Sequence, residues 1–350
     1  MKISSFLSIL IRKAIPLATV FVLCGAMMGC HHTNQPRFVL ISHAPDSDLW
    51  WNTVKNGMTD AAKDFHIAVD YRNPPNGDIA DMARLVEQAA ARNYDGLIIS
   101  IADYSVLKEP LQAVRAKGIP IVTINSGTPE QSRALGAIMH VGQPEYGAGK
   151  MAGERAKAAG ITSYLCVNHY ATNPSSFERS RGFAEAIGAD FRKSTLDSGD
   201  DPSTIETKVS GYLRAHPKTQ AILALGPNSA QGTLVALRKM GLSGKIYFAT
   251  FDLTPEVIKG IKDGIVNFAI DQQPYLQGYI PVAVLAIMKQ DKMTHISQIQ
   301  EKLKSHTAFQ QRLKKYGLKP IYDKDGISSG PGFVTKENVD KVEKFAGEYR

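Results

Sequence analysis

Polar residues with the means to do chemistry recur at one kind of place, the ends of short apolar runs. Ser100 lies near the end of GLIISI with Asp103 just beyond it, Asn125 follows PIVTI, and Asn168 and His169 follow YLCV. Asp252 follows KIYFATF and Gln272 follows the run that ends at Ile270. Carboxylates, amides and an imidazole brought together would offer mixed donors and acceptors. A polyhydroxylated molecule needs that mixture, because each hydroxyl both donates and accepts. Trp50 and Trp51, the only tryptophans, begin an amphipathic stretch beside the same edge. A tryptophan face there could cover the C–H face of a sugar ring, whereas core packing is the alternative. We expect one ring of the pair in each role, with the choice between them open.

Catalytic spacings do not emerge. Gly147, Gly149 and Lys150 invite a phosphate-loop reading, but GxxxxGK[ST] would need a Gly at Pro144 and a hydroxyl at Met151. Gly147, Gly149 and Gly153 give GxGxxxG, which reads as a helix packed closely on a sheet. Gly241-Leu-Ser243-Gly244 is not GxSxG, so Ser243 reads as a turn residue. His31-His32 reads as a solvated tether. His43 fits either a cleft rim or a satisfied loop histidine, while His169 with Asn173 reads as cleft-facing. Asp48, Asp103 and Asp252 have no evident acid–base partner. Three cysteines (Cys24, Cys30, Cys166) exclude a disulfide scaffold and a CxxC zinc cluster. We therefore expect binding without catalysis, no cofactor and no metal.

Those strand ends need elements to position them. Strands are expected at Arg37–Ser42, Ile67–Tyr71, Gly96–Ile101, Pro120–Ile124 and Ile138–Val141. A second series follows at Tyr164–Asn168, Ala221–Leu225, Ile246–Phe251 and Asn267–Ile270. Between them, Trp51, Val54, Met58, Ala61 and Phe65 recur at helical spacing, as do Ile79, Met82, Ala83, Val86 and Ala90. Continuous apolar strands alternating with helices indicate parallel sheets covered on both faces. Two such series predict an α/β protein of two doubly wound lobes, with ligand outside the carboxyl ends of the strands.

Composition sets the outer limits. The chain has 350 residues, 43% hydrophobic and 21% charged, enough for two cored domains and too apolar for disorder. The formal charge is +8, but Lys2, Arg12 and Lys13 precede an apolar run from Ala14 to Met28, the layout of a secretory signal. Gly29-Cys30 with Gly25 and Ala26 upstream is similar to a bacterial lipobox, although Met27 replaces the usual Leu. Lipidation at Cys30 is the expectation; plain cleavage leaving a free thiol is the alternative. Residues 30–350 carry +5, of which 289–319 alone holds +6, so the body is near neutral. A nucleic-acid binder would spread its basic residues over a recognition surface, so nucleic acid is not an expected partner. Cys166, inside an apolar run, reads as a small core residue.

From about Arg37 to Asp340 the sequence resembles the type I periplasmic binding proteins for sugars, the ribose- and galactose-binding group. The resemblance rests on SHAPDSDLWWNTVKNGMTDAAKDF (42–65), YDGLIISIAD (94–103), GIPIVTINSG (118–127) and HVGQPEYGAGKMAGE (140–154). It continues in ERSRGF (178–183), FATFDLTPEVIKGIKDG (248–264) and FAIDQQPYLQG (268–278). The resemblance implies two Rossmann-like lobes joined by three hinge crossings, with ligand between them. It also implies an exported, lipid-anchored monomer in the periplasm that hands a sugar or polyol to an ABC transporter permease. A receptor subunit presenting a sugar-like signal to a sensor kinase or chemoreceptor would carry the same site.

Carried over residue by residue, the resemblance implies ligand contacts at Asp48, Trp50, Trp51, Ser100, Asn125, Asp252 and Gln272. Asp103, His169 and Asn173 join them from their strand-end or cleft position. The group's sugar-clamping Arg falls on Phe177, and Arg179 takes the neighbouring, usually structural position. Gly226-Pro227 replaces the group's Asn after the strand ending at Leu225. These losses disfavour ribose and galactose and favour a less polar or differently shaped polyol, cyclitol or deoxysugar. The expected layout is a signal peptide (1–29), a tether (30–36), a first lobe (37–141 plus 273–326) and a second lobe (142–272 plus 327–350). The group has no counterpart of the basic stretch 289–319. With Ile296, Ile299, Leu303 and Leu313 it reads as an added amphipathic element, which contacts a partner or membrane surface or docks on its own lobe.

Overall fold

The structure, a computed structural model, describes residues 35–350; the leader, Cys30 and His31-His32 lie outside the described residues. The first half carries β1 (Arg37–Ile41), α1 (Trp50–Asp64), β2 (Ala68–Arg72), α2 (Ile79–Ala91) and β3 (Gly96–Ser100). It continues with α3 (Tyr104–Ala116), β4 (Ile121–Ile124), α4 (Pro129–Ala134) and β5 (His140–Val141). Its strands form one parallel sheet in the order β2-β1-β3-β4-β5. The 3–4 spacing of Trp51, Val54, Met58 and Ala61 becomes the buried face of α1.

The pattern then repeats. α5 (Glu145–Ala158), β6 (Tyr164–Asn168), α6 (Pro174–Ile187), α7 (Phe191–Ser194) and β7 (Thr195–Asp197) lead into α8 (Pro202–Ala215). β8 (Ala221–Ala224), α9 (Pro227–Lys239), β9 (Tyr247–Phe251), α10 (Pro255–Lys262) and β10 (Phe268–Asp271) complete the second half. The chain returns to the first half as α11 (Pro274–Asp291), continues through α12 (Ile296–Ser305) and α13 (Thr307–Tyr316), and forms the hairpin β11 (Ile321–Asp323) and β12 (Gly326–Ser328). β13 (Gly332–Val334) then adds an antiparallel edge to the second sheet, whose order is β13-β10-β9-β8-β6-β7. The short β7, β11, β12 and β13 escaped the sequence reading, because three-residue strands carry no periodicity to detect.

Close helix pairing holds each half together. A Cβ on Gly57 or Gly278 would strike the backbone of the facing helix, so α1 and α11 meet at glycines on both sides. Gly149 and Gly153 of α5 and Gly182 of α6 do the same in the second half. The small residues of α5 therefore serve a helix–helix contact with α6, where the sequence reading expected helix on sheet. Cys166 is fully buried in β6, as its apolar setting requires.

The basic stretch docks on its own half. Ile299, Leu303 and Phe309 are fully buried in the first core, with Ile296 and Leu313 packed partly against it. Arg312 reaches Asp64 with Nε and Nη2 and Asp60 with Nη1, at 2.6–2.9 Å. Part of the local charge is met from outside the stretch, where Lys289 pairs with Asp95, while Lys302–Asp291 and Lys304–Glu301 pair within it.

Candidate functional site

The two sheets share one strand order, and both order reversals face one cavity. In the first sheet the reversal lies between β1 and β3, in the second between β6 and β8, the places where open α/β sheets bind ligands. The chain leaving β1 supplies His43, Asp48, Trp50 and Trp51; β4 ends at Asn125. The chain leaving β6 supplies His169, Tyr170 and Asn173, and the start of α6 supplies Ser175, Ser176 and Arg179. Leu225, Pro227, Asp252 and Gln272 close the wall of a small cavity of about 40 Å³.

A continuous polar chain lines the second-half side. Glu145 and Arg179, each 7% exposed, pair through Nε–Oε2 at 2.6 Å and Nη2–Oε1 at 2.8 Å. The same guanidinium donates to the carbonyl of Leu225 and to Gln272 Oε1, both at 2.8 Å. Gln272 Nε2 in turn donates to both oxygens of Asp252, at 2.8 and 2.9 Å. Burial pushes the Asp252 carboxyl up to about 7. Arg179, Gln272 and the Trp50 indole, which approaches without a full hydrogen bond, keep it from rising further. Burial also raises Asp48, against the backbone N–H of Trp50 and the Tyr170 hydroxyl, and pushes His43 down to about 4. His169 falls to about 3 through burial and then the charge of Arg179. The one strong cation is thus already paired, while both carboxyls are pushed toward neutrality and both imidazoles stay neutral. Such a site suits an uncharged molecule with hydroxyls to donate and accept.

Two bonds close the cavity across the halves. Tyr170 Oη donates to Asp48 Oδ2 at 3.1 Å, and Asn173 Nδ2 donates to Ser126 Oγ at 2.9 Å. Trp50 Nε1 and His169 Nδ1 remain buried without a hydrogen-bond partner. Such groups are costly to leave unpaired, so they mark where a ligand's polar atoms belong. Asn125 (φ 55°) and Asp252 (φ 72°) occupy the left-handed region here, which Asn and Asp enter more readily than other non-glycine residues.

Nine of the residues singled out from sequence line this cavity: Asp48, Trp50, Trp51, Asn125, His169, Asn173, Arg179, Asp252 and Gln272. Trp51, 2% exposed, belongs to the first core as well, whereas Trp50 is only half-buried. Three residues sit elsewhere. Ser100 is fully buried behind the wall, where its Oγ meets the backbone N–H of His43 at 3.1 Å and His43 Nδ1 at 2.9 Å. Asp103 caps α3, accepting from the backbone N–H groups of Ser105 and Val106, and does not reach the cavity. Phe177 is 46% exposed and turned to solvent, one helical step away from the lining Ser176. Its helical phase excludes it, which a motif offset alone did not reveal. Sequence reasoning left His43 undecided and missed Tyr170, whose only signal was its place directly after His169 at a strand end.

Residues 38–292 match the family model described as a periplasmic binding protein domain. The chain is 24% identical over 263 residues to the xylose/arabinose-binding protein of Sulfolobus acidocaldarius, covering 71% of this chain and 65% of that protein's length. It is 27% identical over 238 residues to the ribose import binding protein of Bacillus subtilis, covering 67% of this chain and 73% of that one. Among solved structures, a carbohydrate transporter of Acidothermus cellulolyticus 11B in complex with myo-inositol is similar at 28% identity and a TM-score of 0.76. The match covers 89% of this chain and 98% of that one.

Proposed function

The chain belongs to the periplasmic binding protein family, and from that premise we propose that it captures an uncharged sugar or cyclitol for an ABC transporter. The ligand enters between a first lobe (37–141 plus 273–326) and a second lobe (142–272 plus 327–350), and closure of the lobes traps it. The observation that carries the reading is the internally neutralised polar wall Glu145–Arg179–Gln272–Asp252 facing two unpartnered donors or acceptors, Trp50 Nε1 and His169 Nδ1. Asp252, Asn125, Asp48 and Gln272 accept and donate to ring hydroxyls. Trp50 covers an apolar ring face. Because Arg179 is engaged by Glu145 and Phe177 points away, the second lobe has no free cation to clamp a ring oxygen. That favours a cyclitol such as myo-inositol, with its all-round hydroxyl pattern, over ribose, and the Acidothermus cellulolyticus structure lends support.

The protein is a monomer that needs no cofactor and performs no catalysis. Its Cys30, outside the described residues, is lipidated and tethers it to the membrane on the periplasmic side. A thermal-shift screen over myo-inositol, D-xylose, L-arabinose and D-ribose, followed by calorimetry, tests the ligand class. A true ligand at 100 times its Kd adds roughly 2.7 kcal/mol of stability. Failure of every neutral polyol to raise the melting temperature overturns the reading. Replacing Cys30 with Ser should move the protein from the membrane fraction to the soluble one.

A further inference from the structure

Gln272 is the pivot of the polar wall, and both of its neighbours are held by parts of the chain that contribute nothing to the cavity. Asp271, 1% exposed, accepts from the Gln273 backbone N–H on Oδ1 at 2.8 Å. Its Oδ2 receives Arg350 Nε at 2.8 Å and Nη2 at 2.7 Å. Gln273 sits at φ 53° and pairs its amide with the backbone of Lys319. Its Oε1 accepts from the Lys319 N–H at 2.6 Å, and its Nε2 donates to the Lys319 carbonyl at 3.1 Å. The same Nε2 also donates to the carbonyl of Ser329. Lys319 ends the basic stretch, and Arg350 is itself anchored there: its Nη1 donates to the carbonyls of Gly317 and Tyr316. Tyr349 stacks on Tyr316 at 4.2 Å and 9°, and Asn56 Nδ2 donates to the carbonyl of Glu348. The last residues also span the halves, since Val342 and Ala346 pack in the second core while Phe345 and Tyr349 pack on the first.

We propose that the stretch 289–319 and the residues around Arg350 form a clamp on Asp271 and Gln273 that positions Gln272 for the ligand. With both flanking side chains fixed, the backbone that carries Gln272 is held in place. Gln272 therefore meets Arg179 and Asp252 in a preset orientation, and the ligand does not have to order it on arrival. Arg350 is a positioning residue acting through Gln272, and the stretch 289–319 serves the binding site. The proposal rests on the ligand reading given above for its affinity arm only.

The test is a double-variant cycle on the full chain, with myo-inositol as the calorimetric probe. Arg350→Met keeps the aliphatic stem and removes the fork; we expect affinity to fall about tenfold. Gln272→Ala should also weaken binding, and the combined variant should be no weaker than Gln272→Ala alone, because Arg350 acts through that side chain. Melting temperatures, by contrast, should fall further in the double variant than in either single one. Multiplicative loss of affinity in the double variant, or full affinity in Arg350→Met, overturns the proposal. Hydrogen exchange without ligand gives a second reading: amides of 271–273 should exchange at least tenfold faster in Arg350→Met, with α8 and α9 unchanged. Unchanged exchange at 271–273 overturns the clamp even if myo-inositol binds no variant. If wild type itself ignores myo-inositol, the preference for a cyclitol fails while the exchange result still decides the clamp. Should Arg350→Met not fold, Arg350→Lys, which keeps charge but loses the two-pronged contact, carries the same exchange measurement.

Discussion

Replacing Asp252 with Asn should make the ligand-free protein more stable at alkaline pH while weakening its grip on ligand. Asp252 is 4% exposed, and burial moves its carboxyl from an ordinary 3.8 to about 7 in the folded state. The folded state then holds a proton that the unfolded state has lost, so stability falls with rising pH across this window. The contribution is complete below about pH 4 and gone once pH has passed 7. A difference of that size corresponds to on the order of 4 kcal/mol. Asn keeps the shape but offers Gln272 Nε2 one acceptor in place of two, a loss of about 1 kcal/mol. A net gain of about 3 kcal/mol at pH 8 should raise the melting temperature by roughly 6 °C or more. Calorimetric scans of both proteins between pH 4 and 9 would show the gap opening between about pH 4 and 7 and levelling off above 7. A gap independent of pH, or wild type gaining on the variant as pH rises, would refute the reasoning. Ligand affinity should fall on the order of tenfold or more, the cost of a charge-assisted hydrogen bond.

Other perturbations read other parts of the site. Trp50→Phe should lower affinity about tenfold and remove most of the ligand-induced change in tryptophan fluorescence; Trp51→Phe, in the core, should chiefly lower the melting temperature. His43 and His169, held neutral with values near 4 and 3, stabilise the fold fully above pH 6.5 and lose that contribution as pH falls toward 4. His43→Asn should therefore flatten part of the acid limb of a melting-temperature profile. Gly182→Ala places a methyl against the backbone of Tyr146, so α6 must shift and carry Arg179 with it. We expect a loss of at least 1–3 kcal/mol in urea unfolding together with weakened ligand binding.

What could be read from sequence follows from how far each signal extends along the chain. The parallel strands were legible because five-residue apolar runs such as RFVLI and GLIIS are buried on both faces. Strand ends then located Asn125, His169, Asp252 and Gln272 without any knowledge of the tertiary contacts. Helical phase was the limit of the method. Phe177 and Arg179 are two residues apart on α6, and only the packing of α5 against α6 decides that Arg179 faces inward. Asp103 shows a different ambiguity: an acidic residue after a strand and before a helix suits a ligand and suits an N-cap, and the free N–H groups of α3 claimed it.

The stretch 289–319 was legible as amphipathic, but its destination was not, because its decisive contacts join residues far apart in sequence. Arg312 pairs with Asp60 and Asp64 nearly 250 positions earlier, and Lys319 pairs through its backbone, which leaves no side-chain signature at all. Its charge set a partner or membrane contact beside docking on its own lobe, and the structure shows the docking of its apolar side. Two of its basic residues are tied to carboxylates outside the stretch, Lys289 to Asp95 and Arg312 to Asp60 and Asp64 of α1. A formal charge counted along the sequence overstates the field at the surface whenever the compensating acids come from other elements. Affinity in such a protein then depends on residues that never see the ligand, since the geometry of Gln272 is set by contacts made behind the cavity wall.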